Sequence, residues 1–107
     1  ARASIEGLLC GLADGLDALT RVGVVAKRIL LVGGAAQNPA VAAIAAQVFD
    51  VPVVVPAPSE YVARGAAVQA ALVLTGEWPS WAVPLVAEPA VDTRPVIREQ
   101  YRARAVQ

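Results

Sequence analysis

Gly33 and Gly34 end the apolar run Ile29-Leu30-Leu31-Val32 and lead through Ala35, Ala36 and Gln37 to Asn38 and Pro39. Neither glycine carries a Cβ, so the backbone can turn sharply there and come close to a ligand. Asn38 is a favoured helix N-cap, and Pro39 suits the first helical position, where its missing N–H would have had no intrahelical partner. A strand that enters such a turn and leaves it as a helix presents backbone donors and the positive end of a helix dipole. A phosphate or the polar edge of a nucleoside fits there.

Other nucleotide motifs are excluded. A P-loop needs a lysine followed by serine or threonine after its glycines, and the positions after Gly34 supply neither. A dinucleotide fold needs a G-x-G-x-x-G spacing and an acid closing the second strand, whereas that strand ends here in Val55-Pro56. The chain has no histidine and one cysteine, Cys10, which excludes disulfides, the usual zinc sites and histidine-based catalysis. Cys10 falls within an apolar helical pattern and reads as a small buried thiol in a reducing, cytoplasmic setting. Asp14 and Asp17 lie on a helix face and Asp50 ends another helix, so solvation or capping accounts for them. No catalytic residue and no metal ligand is assigned. Nine basic and nine acidic residues balance, leaving no electrostatic footprint for nucleic acid or an anionic membrane. Arg94, Arg98 and Arg102, at four-residue spacing, read as a solvated face in preference to a phosphate clamp.

The elements that position the glycine turn follow from periodicity. Ile5, Leu8, Leu9, Leu12, Leu16 and Leu19 predict an amphipathic helix over 3–22. Gly7, Gly11 and Gly15 form a second line on it, each costing about 1 kcal/mol against alanine, and are expected to admit a closely packed neighbour. Residues 28–32 predict a short buried strand, 39–49 a helix with Val41, Ile44, Ala45 and Val48 inward, and 51–55 a second strand, with Pro52 at its start and Pro56 closing it. Near-continuous apolar strands joined by a helix imply a parallel pair with a right-handed crossover. Ser59 is placed to cap a helix over 60–74, whose Ala63, Ala66, Ala67, Ala70 and Ala71 make a small-residue stripe suited to close helix packing. The Pro-rich stretch 78–95 is expected to wrap irregularly, with Trp78 and Trp81 anchored on the core. A last helix is expected over 95–105.

Two strands do not make an independent sheet, and both edges of the pair would be open. The chain has 107 residues, 57% of them hydrophobic, against about 45–50% in ordinary domains, yet no apolar run approaches the roughly 18 uncharged residues that span a bilayer. With methionine absent as well, the expectation is a piece of a longer chain that self-associates when isolated.

The ordered set Gly33-Gly34-Ala35-Ala36-Gln37-Asn38, Val51-Pro52-Val53 and Glu60-Tyr61-Val62-Ala63-Arg64-Gly65-Ala66-Ala67 resembles the C-terminal domain of the FGGY carbohydrate kinases, within which the kinases of xylulose are the nearest. Glu6-Gly7 and Asp14-Gly15-Leu16 extend the likeness backward, and Tyr101-Arg102 extends it faintly forward. The resemblance implies an α/β fold, part of an actin-like ATPase (ribonuclease H-like) domain: helix-strand-helix-strand-helix with a short parallel strand pair, then a C-terminal helix. It implies that residues 1–107 belong to the nucleotide-binding half of a sugar kinase using ATP and Mg2+, with the sugar bound by a separate N-terminal domain. Gly33, Gly34 and Ala35 would pass close to the phosphates and ribose, and Asn38 would lie near the adenine. Ala35 stands where many relatives have a third glycine, which matters only if that position needs a positive φ, and Val41 stands where many have an aromatic residue. No Asp-x-Gly-Thr phosphate loop and no acid in the family's catalytic setting is present. The expected parent transfers the γ-phosphate of ATP to D-xylulose, and the 107-residue chain alone is inactive and binds no cofactor tightly. The alternatives are a gluconate, ribulose or glycerol kinase of the same family, or a freestanding interaction module derived from a kinase half.

Overall fold

A computed structural model describes residues 1–105. In chain order the elements are α1 (Arg2–Arg21), β1 (Ile29–Leu30), a 3-10 turn (Gly34–Gln37), α2 (Pro39–Val48), β2 (Val53–Pro56), α3 (Tyr61–Thr75), β3 (Leu85–Ala87) and α4 (Pro95–Arg104). All four expected helices are present, each within one residue of its expected ends. The strands are shorter than expected or shifted. Pro52 has no N–H to donate, and the paired part of β2 begins after it, although the Pro52 carbonyl still accepts from Ile29 N at 2.8 Å. Strands β1 and β2 run parallel, with Ile29 opposite Val53 and Leu30 opposite Val54.

One expectation is corrected at the sheet edge. The Pro-rich stretch is not wholly irregular: it supplies β3, antiparallel to β2, so that the order is β1-β2-β3. Val55 faces Ala87 and Pro56 faces Leu85, with a bulge between Val55 and Pro56. All four residues of β2 are buried, and a bare outer edge would strand their backbone groups without partners, so a short apolar segment closes it. Strand β2 is therefore central, and the open edges among the described residues are those of β1 and β3.

The core lies where α1, α2 and α4 meet β2. Leu9, Cys10 and Ala13 of α1 pack against Ile44, Ala45 and Val48 of α2, with Phe49, Val53 and Ile97 completing the cluster. Residues 92–94 tie α4 to the end of α2: Asp92 N donates to Ala46 O at 3.3 Å, Arg94 N to Gln47 O at 2.8 Å and Thr93 Oγ1 to Phe49 O at 3.0 Å. Carbonyls that an α-helix leaves unpaired at its C-terminus are satisfied in this way.

Much apolar surface stays uncovered. The apolar residues of α1 divide between two faces: Leu9 is buried and Ile5 and Leu16 are half-buried against the core, whereas Leu8, Leu12 and Leu19 are exposed. No residue of α3 is buried, so its alanine stripe meets no partner helix among the described residues. Trp78 and Trp81 are likewise exposed instead of anchored, at 68% and 48%; Trp81 lines a shallow cleft against α3 with Val68 and Pro79. The Cα radius of gyration is 16.1 Å, where a compact domain of this length has about 13 Å. Nor does anything approach Gly7, Gly11 or Gly15: a Cβ at each would meet open space. Close packing on that glycine line is thus absent among the described residues, and each Gly→Ala change there should raise stability by about 1 kcal/mol, read as the shift in a urea melt of the isolated chain.

Candidate functional site

The glycine turn has the geometry that its residues require. Gly33 has φ 108° and ψ 169°, a region essentially closed to residues with a Cβ. Among the described residues, none other than glycine has a positive φ, so Ala35 sits on ordinary backbone and the turn survives the missing third glycine. Ala36 N donates to Gly33 O at 3.2 Å and Asn38 N to Ala35 O at 3.1 Å, winding the 3-10 turn. Asn38 caps α2 as expected: its Oδ1 accepts from Ala40 N at 2.9 Å, with Pro39 at the first helical position.

Above the turn lies an open cleft of about 480 Å³. Val32, Gly33, Gly34 and Gln37 make one wall, and Pro56 and Pro58 line the cleft beside it. The facing wall is the start of α3, through Ser59, Glu60 and Tyr61. Of the four residues expected to bind a nucleotide, Gly33 and Gly34 line this cleft, whereas Ala35 and Asn38 do not. Gln37 and the Ser59–Tyr61 wall escaped sequence reasoning. The available signal was topological: adjacent parallel strands open their carboxyl ends onto one crevice, so the residues after β2 belong beside those after β1. Ser59 is not the side-chain cap expected of it. Glu60 occupies the N-cap of α3 without a side-chain hydrogen bond, while Tyr61 N donates to Ser59 O at 3.0 Å. The Tyr61 hydroxyl donates to Ala57 O, which fixes the ring at the cleft edge.

Of the three evenly spaced arginines, Arg94 and Arg102 are solvent-exposed as expected, but Arg98 is not. Arg98 is only 9% exposed; its Nη1 lies 2.9 Å from Asp14 Oδ1 and donates to Cys10 O at 2.7 Å, and its Nη2 pairs with Asp17. Arg102 reaches Asp17 at 3.5 Å, and Arg94 pairs with Asp92 at 2.9 Å. Asp14 and Asp17 are accordingly the α1 side of an ion-pair cluster, not merely solvated acids. The expectation failed because an arginine three residues after Pro95 falls on the face of α4 that meets α1, and its planar fork can serve two carboxylates and a carbonyl together.

Partial desolvation pushes the Asp14 carboxyl up, but the Tyr101 hydroxyl and the Arg98 guanidinium beside it outweigh this and hold it below the usual carboxylate range. A lowered folded-state pKa adds stability that is present above the unfolded value, about 3.9, and is lost as pH falls through the folded one. Stability measured by denaturant melts should therefore decline below about pH 4, and Asp14→Asn should flatten part of that decline. Desolvation by burial pushes the Cys10 thiol up, consistent with a packing thiol and not a nucleophile.

Among the described residues, no group of three or more His, Cys, Asp or Glu side chains is placed to hold a metal ion. No helix among the described residues is long and apolar enough to cross a membrane.

Residues 1–74 match the FGGY family of carbohydrate kinases, C-terminal domain. The crystal structure of xylulose kinase from Bifidobacterium adolescentis is similar over 94% of the chain, with a TM-score of 0.82 and 38% sequence identity. The chain spans 21% of the length of that kinase. No curated protein matches it.

Proposed function

The chain belongs to the FGGY family of carbohydrate kinases, and from that premise we propose that it forms one wall of the ATP site of a sugar kinase acting on D-xylulose. The observation that carries this reading is the likeness to a xylulose kinase at 38% identity over 94% of the chain, with the Gly33–Gly34 turn lining an open cleft. Gly33 and Gly34 bring backbone close to the nucleotide, and Ala35 and Asn38 act one step back, by winding the turn and capping α2. Phosphoryl transfer also needs a carboxylate to take the proton of the attacking hydroxyl, a second phosphate-holding loop and magnesium. In this proposal all three come from the rest of a longer kinase in the cytoplasm, and residues 1–107 are a fragment of its C-terminal nucleotide-binding domain, with no turnover of their own.

Titrating ATP into the isotopically labelled chain tests the binding part of this reading. Millimolar ATP should shift the amide resonances of Gly33 and Gly34, and unchanged resonances would count against a nucleotide wall. The exposed apolar faces of α1 and α3 should also make the isolated chain self-associate; light scattering should report a mass above 11.0 kDa, and a monomer at high concentration would contradict this.

A further inference from the structure

Tyr61 lines two clefts at once. One is that of the glycine turn; the other, of about 230 Å³, is formed with Arg64, Val68, Pro79, Trp81 and Val83. A side chain with open space beside it can swing away from the first cleft, so its place there depends on what holds it. The Tyr61 hydroxyl donates to Ala57 O in the loop between β2 and α3. That loop is held in turn, because Ala57 N donates to Pro84 O at 2.7 Å. Pairing with β2 fixes the chain from Leu85 onward, but residues 80–84 are all exposed, and a segment without buried apolar contacts opens easily unless it is tied. The tie is Arg64, three residues beyond Tyr61 and so its neighbour on one face of α3, whose Nη2 donates to Ala82 O at 3.0 Å. Among the described residues Arg64 makes no ion pair, and it does not line the cleft of the glycine turn.

We infer that Arg64 is a positioning residue for the nucleotide cleft: it clips residues 79–84 to α3, which steadies Pro84 O, the Ala57 loop and so the Tyr61 wall. The inference rests on the nucleotide reading above and adds a residue outside the cleft that sets what fraction of the protein holds its wall in place. Apparent affinity falls in proportion to that fraction.

The test uses the product of the complete reading frame that contains residues 1–107, with ATP and sugar kinetics and with hydrogen exchange of the peptide 53–60. Arg64→Ala should raise KM for ATP about fivefold, the scale of one net hydrogen bond, with kcat and KM for the sugar unchanged and exchange at 53–60 faster. Arg64→Lys should restore both, since one donor suffices for one carbonyl. Tyr61→Phe, which loses only the hydroxyl, should raise KM for ATP similarly, and the double variant should be no worse than the worse single one, because both break the same tether. An Arg64→Ala protein whose KM for ATP is that of the parent, or in which both KM values and kcat worsen together without rescue by lysine, would show that Arg64 only packs, and the nucleotide wall would stand. A complete product that turns over no ATP would remove both.

Discussion

Replacing Arg98 with alanine should destabilise the chain by about 3 kcal/mol, near the lower end of what removing one partner of a buried ion pair costs. Among the described residues Arg98 is the one cation sunk into the α1–α4 junction, where it serves Asp14, Asp17 and the Cys10 carbonyl together. Its removal leaves two neighbouring carboxylates with only Arg102, 3.5 Å from Asp17, beside them, and takes from the Cys10 carbonyl the bond it accepts in addition to that of its own helix. The carboxylates are about half exposed, so water screens part of their repulsion and keeps the loss from the upper end of the range. For a chain of this size the expected fall in Tm is roughly 12–20 °C. Arg98→Lys should lose less, about 1–2 kcal/mol, because it keeps the charge but not the two-pronged grip. Calorimetry of the three proteins checks the order, and an Arg98→Ala chain as stable as the parent would mean that the cluster is ornamental.

The second large effect separates two adjacent glycines. Gly33→Ala should cost about 2 kcal/mol, because alanine is strained at φ 108° and ψ 169° even though its Cβ would meet open space. Gly34 has an ordinary backbone angle and equally open surroundings, so Gly34→Ala should change stability by no more than about 0.5 kcal/mol. In the proposed kinase the pattern divides again: Gly34→Ala places a methyl group where the backbone approaches the nucleotide and should raise KM for ATP in a protein of unchanged stability. Denaturant melts paired with ATP kinetics make the comparison. Equal stability losses for both variants would show that the turn's backbone, as described, does not control either property.

Legibility followed the range of the interaction. Helix ends were readable because the signals are local: Asn38 and Pro39 announce α2 and form its cap. The parallel pairing of β1 and β2 was readable from two apolar runs spaced by a helix. By contrast β3 hides between prolines as three residues with no alternation, and only the unpaired edge of β2 calls it into the sheet. Arg98 looked like one of an evenly spaced solvated series, yet its role is set by α1, more than eighty residues earlier in the chain. The site divided in the same manner. Gly33 and Gly34 are identifiable by type and spacing, while Glu60 and Tyr61 enter the cleft only because adjacent parallel strands bring their following loops together. The alanine stripe of α3 and the glycine line of α1 pointed to packing partners that are not found among the described residues.

The central claim is that these residues are the nucleotide wall of a xylulose-phosphorylating kinase. Its most direct test is ADP release by the product of the complete reading frame that contains residues 1–107, given ATP, magnesium and in turn D-xylulose, ribulose, gluconate and glycerol. The account predicts release that depends on sugar and is fastest with D-xylulose, and none from residues 1–107 alone. It would be contradicted by a complete product that releases no ADP with any of these sugars, or by turnover from the 107-residue chain on its own.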